Sequence, residues 1–324
     1  MREEICSQSS ARLRIGTVVA FMIMLFIGTG PFAAYGKEAD QKTFATPHEA
    51  IRALTAAVKT NDQSALIGIF GAEGQDLISS GDPVADERGR EHFLRAYEEK
   101  NSIEQPDKDT AILHVGDKDY SFPIPLVRQD KLWYFDTPAG KEEILNRRIG
   151  KNELSTIEVL HAYTEAQREY AAEDRNGDCI QEFAQKFIST EGQRDGLYWP
   201  AAEGDEESPF GPFIARAAVE GYSEIMDDDE PEPFHGYLFK ILVAQGEHAP
   251  GGAFNFVVNG HMILGYGLVA YPAKYGVSGI MTFIVNQEGT IYQKDLADRT
   301  PEAAEMTTFD PDDSWTQCKE ETSE

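Results

Sequence analysis

The chain has 324 residues, enough for two ordinary domains, and its 41% hydrophobic and 26% charged letters describe a folded protein rather than a disordered one. A formal charge of −27 repels phosphate backbones and anionic membrane surfaces, which excludes nucleic acid as a partner.

Arg2, Arg12 and Arg14 surround or precede the start of the apolar run "IGTVVAFMIMLFIG" (Ile15–Gly28), and Ala34 and Gly36 put small residues where a signal peptidase reads. The run falls short of the about 20 residues that a membrane span needs. Residues 1–36 are therefore expected to be a cleaved export signal, placing the mature chain in the periplasm or outside the cell. An uncleaved signal acting as a membrane anchor is the alternative. Export removes Cys6 and leaves Cys179 and Cys318, which an oxidising compartment permits to form one disulfide; two unpaired thiols are the other reading.

The mature chain opens with helix signals. Thr46 can cap, Pro47 sits in the first turn, and Glu49 completes a capping-box spacing, with Ala50, Leu54, Ala57 and Val58 on one face. A second short helix, "QSALIGIF", stops at Gly71. After a turn at Gly81–Pro83 a third helix turns Phe93, Leu94 and Tyr97 inward. "TAILHVG", "YSFPIPLVR" and "KLWYFDT" read as three strands, the middle one placed at an edge or bulge by Pro123 and Pro125. Helices followed by a small curled sheet resemble the NTF2-like cone over about residues 43–140. That likeness implies a pocket for a small ligand or a dimer through the sheet. Ser80 and Asp82, in "SSGDP", either bond a turn or line such a pocket.

Residues 141–173 carry Ile144, Leu145, Ile149, Leu154, Ile157, Leu160, Tyr163, Ala166 and Tyr170 at threes and fours, a long helix that joins two halves, with Gly150 bending it or capping a first segment. From Asn152 the wording "NELSTIEVLHAYTEAQREYAAE", followed by the strand-rich "GYLFKILVAQG", "HMILGYGLVAYPAKYG" and "GIMTFIVNQEGTIYQ", resembles the globular head of type IV pilins and pseudopilins, with a long insertion from Asp174 to Pro233. The pilin membrane helix is missing from its place, so no pilus polymerisation is expected. The head spans 174–310 together with the helix from about 152, and 311–324 form an acidic tail. The fold class is α+β: N-terminal helices packed on a small curled antiparallel sheet, a long connecting helix, and a C-terminal antiparallel meander packed on that helix.

"DRNGDCIQE" sets Asp174, Asn176, Asp178 and Glu182 at the alternate positions from which a tight loop wraps oxygens around calcium. Cys179 stands where a calcium loop has glycine, and Gln185 where it has its bidentate glutamate, so the expected site is weak, of order 10⁻⁴ to 10⁻³ M. The bland alternative is a polar helix end with a turn at Asn176–Gly177. The seven histidines show no zinc-motif spacing and are expected as surface residues or satisfied partners. "GYGLVA" matches a dinucleotide fingerprint, but Pro272 follows where that fingerprint needs a helix. "RDGLYWP" gathers Arg194, Asp195, Tyr198 and Trp199, either a recognition surface or a clamp on a long loop.

Across the chain, "FATPHEAIRAL", "LISSGDPVAD", "FPIPLVR", "EILNRRIGKNEL", "RDGLYWP", "VVNGHMI" and "YGVSGIMTFIVN" together resemble the exported bacterial family DUF2950, a domain of unknown function. The likeness brings no activity with it. The expectation is an exported envelope protein that serves as a non-enzymatic binding or interaction module for an envelope protein or small ligand, with calcium as its one candidate cofactor. The alternative is a periplasmic hydrolase using an acid–base pair in a closed pocket near Asp82.

Overall fold

The Thr46 hydroxyl accepts the Glu49 amide at 3.2 Å, and the Glu49 carboxylate accepts the Ala45 amide at 3.1 Å, so the first helix starts on the capping spacing its sequence carries. In the computed structural model, residues 41–318 are described, apart from 202, 203, 205 and 223–230. The signal expected at 1–36 and the acidic run Asp227–Glu230 lie outside the described residues.

Helices α1 (Pro47–Lys59), α2 (Gln63–Phe70), α3 (Gln75–Ile78) and α4 (Pro83–Glu99) come first, with a 3₁₀ turn at Ala72–Gly74. Gly71 ends α2 at φ 77°, a conformation that favours glycine. Strands β1 (Asn101–Glu104), β2 (Thr110–Val115), β3 (Tyr120–Ser121), β4 (Leu126–Gln129) and β5 (Leu132–Phe135) make an antiparallel sheet in the order β1-β2-β4-β5, with β3 on β2. Pro123 and Pro125 split the expected middle strand into β3 and β4, because neither can donate to a ladder. One apolar cluster lies between helices and sheet, with Leu54, Ile69, Leu113, Trp133 and Phe135 at its centre.

Helix α5 (Thr137–Tyr170) runs 34 residues without interruption at Gly150, which faces solvent. Its first part packs Ile144 against the first cluster; Val159, Leu160, Tyr163, Ala166 and Tyr170 join a second. After α6 (Gly211–Val219) come β6 (Tyr237–Leu242), β7 (Ala244–Gln245), β8 (Phe254–Asn255), β9 (Val257–Val258), β10 (His261–Met262), β11 (Gly267–Pro272), β12 (Met281–Asn286) and β13 (Tyr292–Asp295). A 3₁₀ helix (Ala297–Glu305), β14 (Thr308–Phe309) and β15 (Thr316–Gln317) complete the described chain.

The larger sheet has the order β15-β13-β12-β11-β6. Its central strands are buried on both faces, and the period-2 alternation of a strand sorts them: Leu268, Ala270, Phe283 and Val285 face α5, whereas Val269 and Ile284 join Leu242, Phe309 and Trp315 on the other side. Residues 311–318, expected as part of an acidic tail, are instead built into this sheet: Trp315 is buried and β15 pairs with β13. "GYGLVA" forms most of β11, not a phosphate turn.

The chain is α+β. Two polar ties join the first helices to the second sheet's region. Asp76 meets Lys141 at 3.0 Å and Lys274 at 2.8 Å. Asp82, fully buried at the start of α4, accepts the Ala85 amide on Oδ1, and on Oδ2 the Tyr222 hydroxyl at 2.9 Å and the Gly236 amide at 2.8 Å.

Candidate metal centre

Helix α5 ends at Tyr170, and the chain then has to turn back within a few polar residues. Asp174 makes that turn. Its Oδ1 accepts the amides of Gly177 at 2.8 Å and Asp178 at 3.2 Å, and its Oδ2 accepts the amide of Cys179 at 2.8 Å. Gly177 and Cys179 sit at φ 80° and 69°, which those three bonds hold in place. The loop's far end is fixed by Gln167 on α5, which exchanges bonds of 2.8 and 2.9 Å with the backbone of Ala184.

A second segment closes on the first. Strands β9 and β10 turn at Asn259 and Gly260, both at positive φ, and the Phe183 amide donates to the Met262 carbonyl at 2.8 Å. This brings His261 Nδ1 to 3.2 Å from Glu182 Oε2 and 3.5 Å from Asp178 Oδ2. The three ligand atoms lie within 4.8 Å of one another. Glu182 is buried, and its Oε2 also accepts the Met262 amide at 3.3 Å. The Asn176 amide nitrogen reaches both carboxylates, at 2.9 Å from Asp178 and 2.7 Å from Glu182.

The four residues expected around calcium thus divide by role. Asp178 and Glu182 converge, Asn176 bridges them, and Asp174 spends both oxygens on backbone amides. The residue that spacing did not provide is His261, expected only as a surface or satisfied histidine. Its 79-residue separation from Glu182 carries no local signal, and a histidine next to the Asn259–Gly260 turn was the one available clue. One imidazole nitrogen and two carboxylates form a donor set for a first-row divalent ion such as zinc or manganese, because calcium takes oxygen ligands.

Of the two readings of the cysteines, the structure has the unpaired one: Cys179 and Cys318 are both free thiols. Cys179 sits on the exposed turn held by Asp174. Cys318 follows β15, where its amide donates to the Ile291 carbonyl at 2.9 Å and its side chain packs on the core beside α5. Burial pushes its thiol up to about 11, and the charge of Glu153 acts in the same direction.

The remaining candidates have structural partners. The Arg194 guanidinium lies 5.2 Å from the ring of Trp199 and pairs with Glu206 at 2.6 Å; Trp199 is buried and donates to the Glu206 carbonyl. Asp195 accepts from Lys186 and Thr190, and Tyr198 is half-buried, its amide bonded to the Phe187 carbonyl. These residues clamp the long excursion to itself. Ser80 is buried and accepts the Asp82 amide at 3.2 Å, so Ser80 and Asp82 form a buried turn.

No helix among the described residues is long and apolar enough to cross a membrane. A family model described as "Protein of unknown function (DUF2950)" matches residues 41–318. No curated protein and no solved structure matches the chain, and the likenesses to an NTF2-like cone and a pilin head are not confirmed.

Proposed function

The chain belongs to this family of unknown function, DUF2950, and from that premise we propose that it is an exported envelope protein acting as a non-enzymatic, cation-dependent binding module. The observation that supports the cation-dependent part of this reading is the convergence of Asp178, Glu182 and His261 from two segments at the surface end of the second core. Three protein ligands leave coordination positions open, and a carboxylate or carbonyl of a partner would fill them. Both Asp82 oxygens already accept hydrogen bonds, which supports a structural rather than a catalytic role for that carboxylate.

The test is thermal unfolding with zinc, manganese or calcium against chelator, in the wild type, Asp178→Ala and His261→Ala. Zinc or manganese at ten times its dissociation constant is expected to stabilise the wild type by about 1.4 kcal/mol and neither variant. Calcium stabilising the wild type and His261→Ala alike would return the site to the four-oxygen loop. Equal shifts in all three proteins would reduce the effect to screening of the −27 charge and sink the reading.

A further inference from the structure

A second region has a different chemistry. Helices α4, α5 and α6 and the turn before β6 wall a cleft of about 260 Å³, room for about nine water-sized groups at 30 Å³ each. The whole chain has 29 Lys and Arg against 56 Asp and Glu, yet the cleft reverses the balance, with Arg88, Lys151 and Arg216 against Glu158 and Glu220. Glu220 is already committed: one carboxylate oxygen lies 2.6 Å from Arg88 Nη1 and 3.0 Å from His235 Nε2. Lys151 and Arg216 make no ion pair among the described residues, and Arg216 is steadied by the ring of Phe213, 5.5 Å from its guanidinium carbon.

The cleft is built rather than incidental. His235 holds φ 49°, an uncommon conformation for a non-glycine residue. Here its amide donates to the Tyr222 hydroxyl at 3.2 Å, and the next amide, of Gly236, donates to buried Asp82. The imidazole is thereby fixed at the cleft wall, edge-on to Phe234 with ring centroids 4.3 Å apart. Burial lowers the pKa of His235, with Lys151 and Arg88 adding to the lowering against the opposing charges of Glu220 and Asp82.

We propose that this cleft binds a small organic anion, its phosphate or carboxylate held between Lys151 and Arg216 and its apolar part resting on Phe234 and Val159. In a chain this acidic, a concave site whose cations have no ion-pair partner among the described residues favours an anion. Arginine supplies a planar fork for two oxygens and lysine a point charge, a combination that suits either anionic group.

Titration calorimetry of the whole chain at constant ionic strength tests this with phenyl phosphate, benzoate and uncharged benzyl alcohol. At least one anion is expected to bind and the alcohol not; which anion binds separates phosphate from carboxylate. Lys151→Ala and Arg216→Ala are each expected to weaken binding by about tenfold or more, Lys151→Arg to restore most of it, and Lys118→Ala, in a distant turn, to leave it unchanged. Silence of both anions against the wild type overturns the proposal, as does equal binding by all variants. Binding that appears only after Asp227→Asn, Asp228→Asn and Asp229→Asn are combined also overturns it, by assigning the cleft to the chain's own acidic run.

Discussion

Asp136 heads the longest helix with both carboxylate oxygens buried and without a hydrogen-bond partner among the described residues. Burial raises its pKa, and the charge of Glu73 adds to the rise, against a smaller lowering by the Ala139 amide. The folded carboxyl therefore keeps its proton to a higher pH than the unfolded one does. Its favourable contribution is complete below the unfolded value, about 3.9, and is lost as pH rises through the folded value. Asp136→Asn removes that loss with little change of shape. Urea unfolding is expected to show the variant gaining on the wild type as pH rises above about 4, and ending the more stable of the two at pH 7. Parallel stability curves would show that Asp136 is solvated after all. Single residues also mark where sequence reading stops: Asp174 and Asp178 stand four apart and look alike, yet one ties the loop and the other faces His261, a difference set by a hairpin far along the chain.

At the scale of elements, α5 contains two glycines with opposite consequences. A Cβ on Gly140 would lie 2.4 Å from the Pro123 carbonyl oxygen, where the helix crosses the backbone before β4. A Cβ on Gly150 would meet nothing within 4 Å. Gly150→Ala is expected to stabilise by about 1 kcal/mol through helix propensity, and Gly140→Ala to destabilise by about 2 kcal/mol or more through a clash with backbone that cannot move aside. Denaturant midpoints of the two variants check both signs, and stabilisation by both would mean α5 does not approach Pro123 as described. The sequence announces α1, α2 and α5 because caps, prolines and apolar spacing are local. It does not announce β1, whose "NSIE" is polar and largely exposed and pairs only because β2 lies beside it. Two-residue strands such as β14 and β15 are equally silent, since long-range pairing alone defines them. Helix α6 had a usable signal, Pro212 in its first turn and an alanine-rich body, within a stretch expected only as an insertion.

For the whole molecule, α5 belongs to two apolar clusters at once, and Asp76 and Asp82 fasten the first helices to Lys274, Tyr222 and Gly236. Separating the two clusters leaves buried Asp82 with unpaired oxygens, a penalty of several kcal/mol. We expect one calorimetric transition, with calorimetric and van't Hoff enthalpies equal. Two resolved transitions would show that these ties are weaker than the cores they join. The joint helix also sets an order of events during synthesis. Tyr163 bonds its hydroxyl to the carbonyl of Gly267, 104 residues later in the chain, at 3.1 Å. At about 5 to 20 residues per second, the ribosome needs roughly 5 to 20 s to make those 104 residues. During that interval the front of α5 already has its partners and Tyr163 can meet Phe187, whereas Leu268, Phe283 and Val285, the strand residues that complete the second cluster, are still to come. Until they arrive, the rear of α5 keeps part of its apolar face uncovered, which makes the nascent chain a natural client for a chaperone that shields apolar segments.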